Sequence, residues 1–388
     1  MRRTIALSGA VSAIIVACAT AFAADPGVQA EKIVFGQAAV FEGPASALGL
    51  GMREGLQAAF AEANAKGGVK GRKLELVTRD DGYEPSKAIE AVKQLIEQDK
   101  VFALLGPVGT PTAAAAEPVA GAAGVPYIGP FTGAEFLRNP YKPHVVNVRA
   151  SYFQETEEMV ERLTKDLKHD KIAILYQDDA FGRAGLAGVQ KAMDKRGMKL
   201  AAEGTFERNT TAVKGALMAI KKGEPQAVIM VGPYKPCAEF IKLARQVKLD
   251  ATFVNISFVG SNALAKELGD AGAGVVVTQV VPFPEDAGLP LVADYHKALK
   301  AVKADAEPGF VSLEGYMVGR LVIAALAKLD GEPSRTALLQ AMQSGTYDLG
   351  GVKLTYGAND NQGMDTVFLT IIQPGGKFKA VKSLASGS

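Results

Sequence analysis

The sequence predicts an α/β protein made of two doubly wound, parallel-sheet lobes. Three observations carry that prediction. From Lys32 onward, short apolar runs of β type alternate with segments of helical period, the pattern of βα units that assemble a parallel sheet. The runs fall into two successive series, which calls for two sheets. The chain, at 388 residues, is also longer than one hydrophobic core usually supports.

The first residues belong to neither lobe. Met1-Arg2-Arg3, the apolar stretch from Ile5 to Val16, and Ala21-Phe22-Ala23 before Ala24 form the basic, apolar and small-residue regions of a secretory signal over residues 1–23. The sequence Ile15-Val16-Ala17-Cys18 also resembles a lipoprotein cleavage box, which would leave Cys18 as a lipid-anchored terminus. A soluble periplasmic product starting at Ala24 is the favoured outcome. The apolar run falls short of the roughly 20 residues a spanning helix needs, and no later segment is expected to be long enough either.

Strands of the first series are expected at 32–40, 74–79, 101–105, 126–128 and 145–148, and of the second at 172–176, 200–206, 227–231, 252–256 and 275–281. Between them, 86–97 places Ala88, Ile89, Val92, Leu95 and Ile96 on one helical face, and 310–329 repeats that pattern over a longer span. These faces read as core. The segment 64–73 (NAKGGVKGRK) has the glycine content of a helix stop and tight turn. After Ser344, 352–355 and 367–373 read as short strands separated by a polar loop.

Two loops carry the chemistry. Residues 106–112 (GPVGTPT) and 129–134 (GPFTGA) each follow a strand and each are expected to open a helix. Glycine permits close backbone approach, threonine supplies hydroxyl donors, and free N–H groups at a helix start receive carboxylate or phosphate oxygens. Thr110 and Thr132 could instead serve only as helix caps, and Gly109 and Gly133 only turn geometry.

Composition excludes several classes. Removal of residues 1–23 takes away Arg2 and Arg3, leaving 41 basic against 41 acidic residues. A neutral chain without Trp lacks the basic stripe expected of a nucleic-acid or membrane-surface binder. Only Cys237 remains after processing, so no internal disulfide can form. No Gly-x-Ser-x-Gly elbow, zinc-protease motif or phosphate loop is present, and Gly49-Leu50-Gly51 followed by Gly55 misses the dinucleotide fingerprint by one residue. Neither catalysis nor a cofactor is expected.

Several short stretches, in order, carry a resemblance: Gly43-Pro44 with Gly49, 64–71, Asp80-Asp81 with Pro85, Leu105-Gly106 with Thr110, 130–133, 176–182 (YQDDAFG) and 232–234 (GPY). Together they resemble type I periplasmic binding proteins of the branched-chain amino acid (Leu/Ile/Val) class, the substrate-binding components of ABC importers, over nearly the whole mature chain. The resemblance implies a three-segment hinge near 148–150, 279–281 and 352–356. Lobe one is then 31–148 plus 282–352, and lobe two 150–279 plus 357–385. It also implies a ligand carboxylate held by Gly109 and Thr110 and by Phe131, Thr132 and Gly133. Tyr152, Phe181 and Tyr234 would add further contacts as the lobes close.

The departures bear on the ligand. Where the amino-acid binders carry a carboxylate for the ligand ammonium, this chain has Ser257 followed by Phe258. A neutral hydroxyl does not offset desolvation of a buried ammonium as an anion does. Either Asp178, Asp179 or Glu42 takes that role, or the ligand has no ammonium. An aromatic of the first loop aligns with Leu48, and two family cysteines align with Tyr83 and Val108. The expected function is therefore capture of a small carboxylate, a branched-chain or aliphatic amino acid first and a non-amino carboxylate second, by a monomer that serves a membrane permease. A sensor domain for a signalling partner is the alternative of another class.

Overall fold

The computed structural model describes residues 24–385, so the signal expected over 1–23 and Cys18 lie outside the described residues. The chain runs through β1 (Lys32–Ala39), α1 (Ser46–Ala65), β2 (Lys73–Asp80), α2 (Pro85–Glu97), β3 (Leu104–Leu105), α3 (Thr110–Ala122), β4 (Tyr127–Ile128) and β5 (Val145–Val146). These strands form one parallel sheet in the order β2-β1-β3-β4-β5. Helix α2 starts on Pro85, whose missing N–H would be unpaired there anyway, and buries Ala88, Ala91, Val92 and Leu95. β3 is shorter than the expected 101–105. Residues 101–103 reach β1 only through single bonds, Phe102 N–H to Val34 O (2.7 Å) and Gly36 N–H to Ala103 O (2.9 Å).

The second series comprises α4 (Tyr152–Lys165), β6 (Ile172–Gln177), α5 (Ala180–Asp194), β7 (Ala202–Phe206), α6 (Lys214–Lys222), β8 (Ala227–Val231), α7 (Tyr234–Gln246), β9 (Thr252–Asn255), α8 (Ser261–Leu268) and β10 (Val276–Gln279). Every residue of β8 is buried, as befits a strand covered on both faces by helices. The chain then returns to the first lobe as α9 (Pro290–Val302), α10 (Phe310–Ala327) and α11 (Arg335–Gln343), and forms the hairpin β11 (Thr346–Asp348) with β12 (Lys353–Thr355). β13 (Phe368–Ile372) and β14 (Phe378–Val381) join the second sheet, whose order is β14-β13-β10-β9-β8-β6-β7. These last two strands are antiparallel, an edge the βα pattern did not contain.

One expectation about membrane spans needs correction. Helix α10 is long and apolar enough to cross a membrane by length and composition, but it is mostly buried inside this lobe. It lies against α1 with the backbones nearly touching: a Cβ on Gly55 would stand 1.9 Å from Ser312 O, and one on Gly315 would stand 2.3 Å from Met52 O. Its apolar surface belongs to a helix–helix core.

The chain passes between the sheets after β5, after β10 and between β12 and β13. The third passage runs through 356–367, because 353–355 are held in the hairpin with β11. It lies beside the first passage: Asn147 N–H donates to Asn361 O (2.7 Å), and Gly363 N–H donates to Asn147 O (2.9 Å). Arg138 ties both together, donating to Gln362 Oε1 (2.5 Å), Ala134 O (3.0 Å) and Arg149 O (3.1 Å).

Candidate functional site

The carboxyl ends of both sheets face the seam between the lobes, the place where open α/β sheets bind ligands. Helix α3 begins at Thr110 behind Gly109, which has φ 111° and no side chain to cap with. Thr110 therefore does not cap. Its hydroxyl lies 2.7 Å from that of Thr132, which donates to the Tyr152 hydroxyl at 3.3 Å and accepts from Ala134 N–H at 3.2 Å. With Thr132 donating onward, Thr110 is the donor to it. The Tyr152 hydroxyl is hydrogen-bonded to both Thr132 and Thr110, so the three hydroxyls form one cluster, and the N–H groups of Thr110 and Gly133 have no acceptor among the described residues. Thr110, Thr132 and Tyr152 are fully buried, and burial raises the Tyr152 phenol.

The second loop does not open an α-helix. After Thr132 takes the Ala134 N–H, only a single 3-10 turn, Glu135–Leu137, forms before Pro140. Gly133 is required by contact: a Cβ there would meet Tyr152 Cδ1 at 2.5 Å and Tyr152 N at 2.7 Å. Gly109 is required twice over, by its positive φ and by Tyr83, whose ring edge would lie 2.5 Å from a Cβ.

Aromatic rings fill the seam. Phe258 stands among Tyr83 (6.0 Å between centroids), Phe131 (5.3 Å) and Phe181 (4.4 Å), and Tyr152 adjoins Phe181 (5.6 Å). All five are buried, so Phe181 and Phe258 are interior residues that also border the seam. Tyr234, the first residue of α7, is buried and accepts a hydrogen bond from Ala47 N–H of the other lobe at 3.3 Å. Leu48 reaches Gly260 beside it, 2.6 Å from where a Cβ would be.

Buried charge lies one layer behind. Arg149, in the first passage, makes a bidentate pair with Glu314 (2.8 and 2.7 Å), donates to Ser257 Oγ (3.1 Å) and stacks over Phe131 at 4.3 Å. Burial works against its charge, but Glu314 more than offsets this and holds the guanidinium above its usual range. Ser257 donates its hydroxyl proton to Glu155 (2.9 Å) and its N–H to the same carboxylate (2.9 Å), which also receives Thr278 Oγ1 (2.6 Å). Burial raises Glu155, with Arg149 and these donors pulling the other way. Of the three acids proposed in place of Ser257, Asp178 pairs with Arg183 at the surface, Asp179 caps α5, and Glu42 is exposed to solvent.

A polar bridge closes the rim. Arg208 donates to Glu84 of the other lobe (2.8 Å) and to Asp179 (3.0 Å), while Asn209 donates to Glu84 (2.7 Å) and Gly82 O (3.1 Å). Gln177 joins in through Asp179 (2.7 Å) and Tyr83 OH (3.3 Å). Sequence reasoning missed Arg149, Glu155, Glu314, Gln177 and Arg208. One signal was available for Arg149: it is a lone charge inside the apolar passage 145–150.

Comparison with known proteins follows the same lines. The family described as "Periplasmic binding protein" matches residues 32–377. The leucine-, isoleucine-, valine-, threonine-, and alanine-binding protein of Pseudomonas aeruginosa is 26% identical over 340 residues, 87% of this chain and 89% of that protein. The Leu/Ile/Val-binding protein homolog 7 of Brucella suis is 24% identical over 337 residues, 83% of each chain. Among solved structures, a possible leucine/isoleucine/valine-binding protein from Rhodopirellula baltica is 38% identical with a TM-score of 0.87, covering 91% of this chain and 96% of that one.

Proposed function

Because the chain belongs to the periplasmic binding protein family, we propose that it captures a small carboxylate-bearing solute between its lobes and delivers it to the membrane permease of an ABC importer. The observation that carries this reading is the hydroxyl chain from Thr110 through Thr132 to Tyr152. It lies with two backbone N–H groups, of Thr110 and of Gly133, that have no acceptor among the described residues, in a buried seam where such donors favour an anion.

Gly109, Thr110, Phe131, Thr132 and Gly133 form the fixed half of the site, on lobe one. Tyr152, Phe181, Tyr234 and Ser257 arrive from lobe two, Ser257 acting through Arg149 and Glu155 rather than by its own proton. A ligand bridging both halves stabilises the closed arrangement, and the closed arrangement is what the permease recognises. The protein acts as a periplasmic monomer without cofactor, and it binds rather than catalyses.

An aliphatic, branched-chain amino acid is the first ligand candidate, supported by the names of the relatives. A non-amino carboxylate is the second, favoured by Ser257 and by the engagement of every acid around it. A thermal-shift screen of amino acids and simple carboxylic acids tests the reading. Ligand at 100 times its dissociation constant adds about 2.7 kcal/mol of stability, and a screen in which no carboxylate raises the melting temperature refutes it.

A further inference from the structure

We propose that Gln177 determines specificity: its side-chain carbonyl accepts a hydrogen bond from an N–H or O–H group that the ligand carries beside its carboxylate. This rests on the carboxylate reading above. Gln177 ends β6, is fully buried, and reaches across the seam to Tyr83 of the other lobe. Its Nε2 donates to Asp179 Oδ2 at 2.7 Å. Asp179 has Arg208 at 3.0 Å and Phe181 N–H at 2.9 Å, so it is a carboxylate that only accepts. That contact fixes the amide: the atom facing the other way is the carbonyl Oε1. It is buried with no partner among the described residues, and a buried orphan acceptor in a binding seam calls for a donor.

The position of that donor follows from Tyr83. One edge of the Tyr83 ring lies against Gly109, in the loop that holds the carboxylate, and its hydroxyl lies 3.3 Å from Gln177 Nε2. The Tyr83 proton also has no acceptor among the described residues. A free donor and a free acceptor therefore sit side by side within one ring's length of the carboxylate loop. They match a molecule whose acceptor and donor are on adjacent carbons. No acid competes for this role, since Asp179, Glu155 and Glu314 are each engaged by other groups. Gln37 and Asn255 also have unpartnered carbonyls, but their amides turn back to Gly106 O and Val276 O within their own sheets.

The donor is either an ammonium or a hydroxyl, and the test separates them. Calorimetry on the mature protein compares leucine, 2-hydroxy-4-methylpentanoate and 4-methyl-2-oxopentanoate, then phenylalanine, 3-phenyllactate and phenylpyruvate. In a series that binds, the amino or the hydroxy member is expected to bind at least about tenfold more tightly than the oxo member. Gln177→Met is expected to bring that ratio towards one while the oxo-acid affinity stays nearly constant. Gln177→Glu, which keeps an acceptor oxygen, retains the preference. An oxo acid that binds the wild type as tightly as its partners, or a ratio unchanged in Gln177→Met, overturns the assignment and leaves the carboxylate reading standing. Failure of all six to bind overturns the carboxylate reading and this assignment with it.

Discussion

Asp81 should make the protein less stable as pH rises from about 4 to about 7, and Asp81→Asn should remove that loss. Asp81 follows β2, is 1% exposed, and accepts Tyr83 N–H on Oδ1 at 2.8 Å. Its N–H donates to Ala39 O and its carbonyl accepts Glu84 N–H, so it organises the turn that presents both Tyr83 and Glu84 to the seam. Burial, reinforced by Asp80 and Glu84, pushes its carboxyl from 3.8 up to about 7. Between those values the native state holds a proton that the unfolded chain has released, so the stability of unfolding falls with rising pH across that window. Below pH 4 both states are protonated and nothing is lost. Above pH 7 the full cost of the buried charge applies, about 4 kcal/mol at 1.36 kcal/mol per unit. Asn at this position keeps the acceptor for Tyr83 N–H and cannot ionise. Urea denaturation of both proteins at pH 4, 5.5, 7 and 8.5 isolates the difference, because every other titrating group is shared. The variant should gain on the wild type steadily from pH 4 to pH 7 and hold its advantage above. A difference that does not change with pH refutes the assignment.

Three further outcomes follow. Thr132→Val leaves the Thr110 hydroxyl, Tyr152 hydroxyl and Ala134 N–H without their partner. It should weaken binding of the screened ligand by about 1 to 3 kcal/mol, and unchanged affinity in calorimetry would falsify the role given to that loop. Glu84→Gln weakens a half-exposed bridge between the lobes that is worth about 0.5 to 1 kcal/mol. Ligand affinity should fall severalfold at low salt and match the wild type at high salt; an equal loss at every ionic strength would contradict a latch. Glu314→Gln strands the buried Arg149 guanidinium and should cost about 3 to 5 kcal/mol of stability. Replacing both partners by Met should recover most of it, and a double variant no better than the single would show that the pair itself is not what matters.

The sequence exposed what local pattern determines. The alternation of strand and helix located both sheets, and Thr110, Thr132 and Tyr234 were visible because each sits just past a strand end, where an open sheet presents its ligand. The antiparallel β13 was visible as a strand but not in its direction, which depends on where the third passage delivers the chain, and β14 was not expected at all. The charged layer was hidden for a different reason. Arg149 meets Glu314 across 165 residues and Ser257 meets Glu155 across 102, so neither partner carries a local mark of the other. Gln177 was read only as the residue after a strand ending at Tyr176, and the role proposed for it depends on which of its two amide atoms is already engaged.

The change at Ser257 is better understood as a displacement of charge than as a loss of it. The resemblance leads one to expect a carboxylate at that position, facing the ligand. Here a carboxylate is still present, on Glu155, but it stands behind Ser257 and receives that residue's N–H and hydroxyl as well as Thr278. Three donors and the field of Arg149 satisfy it from within the protein. An anion so satisfied gains little from a ligand cation, because attraction to the newcomer must be set against donors already in place. The buried charge thus holds Arg149 and the first passage in register, and under the proposed reading recognition at the ligand's second group would pass to neutral atoms. With Asp179, Glu155 and Glu314 each engaged, the carbonyl proposed to meet that second group is the one on Gln177, which has no partner among the described residues.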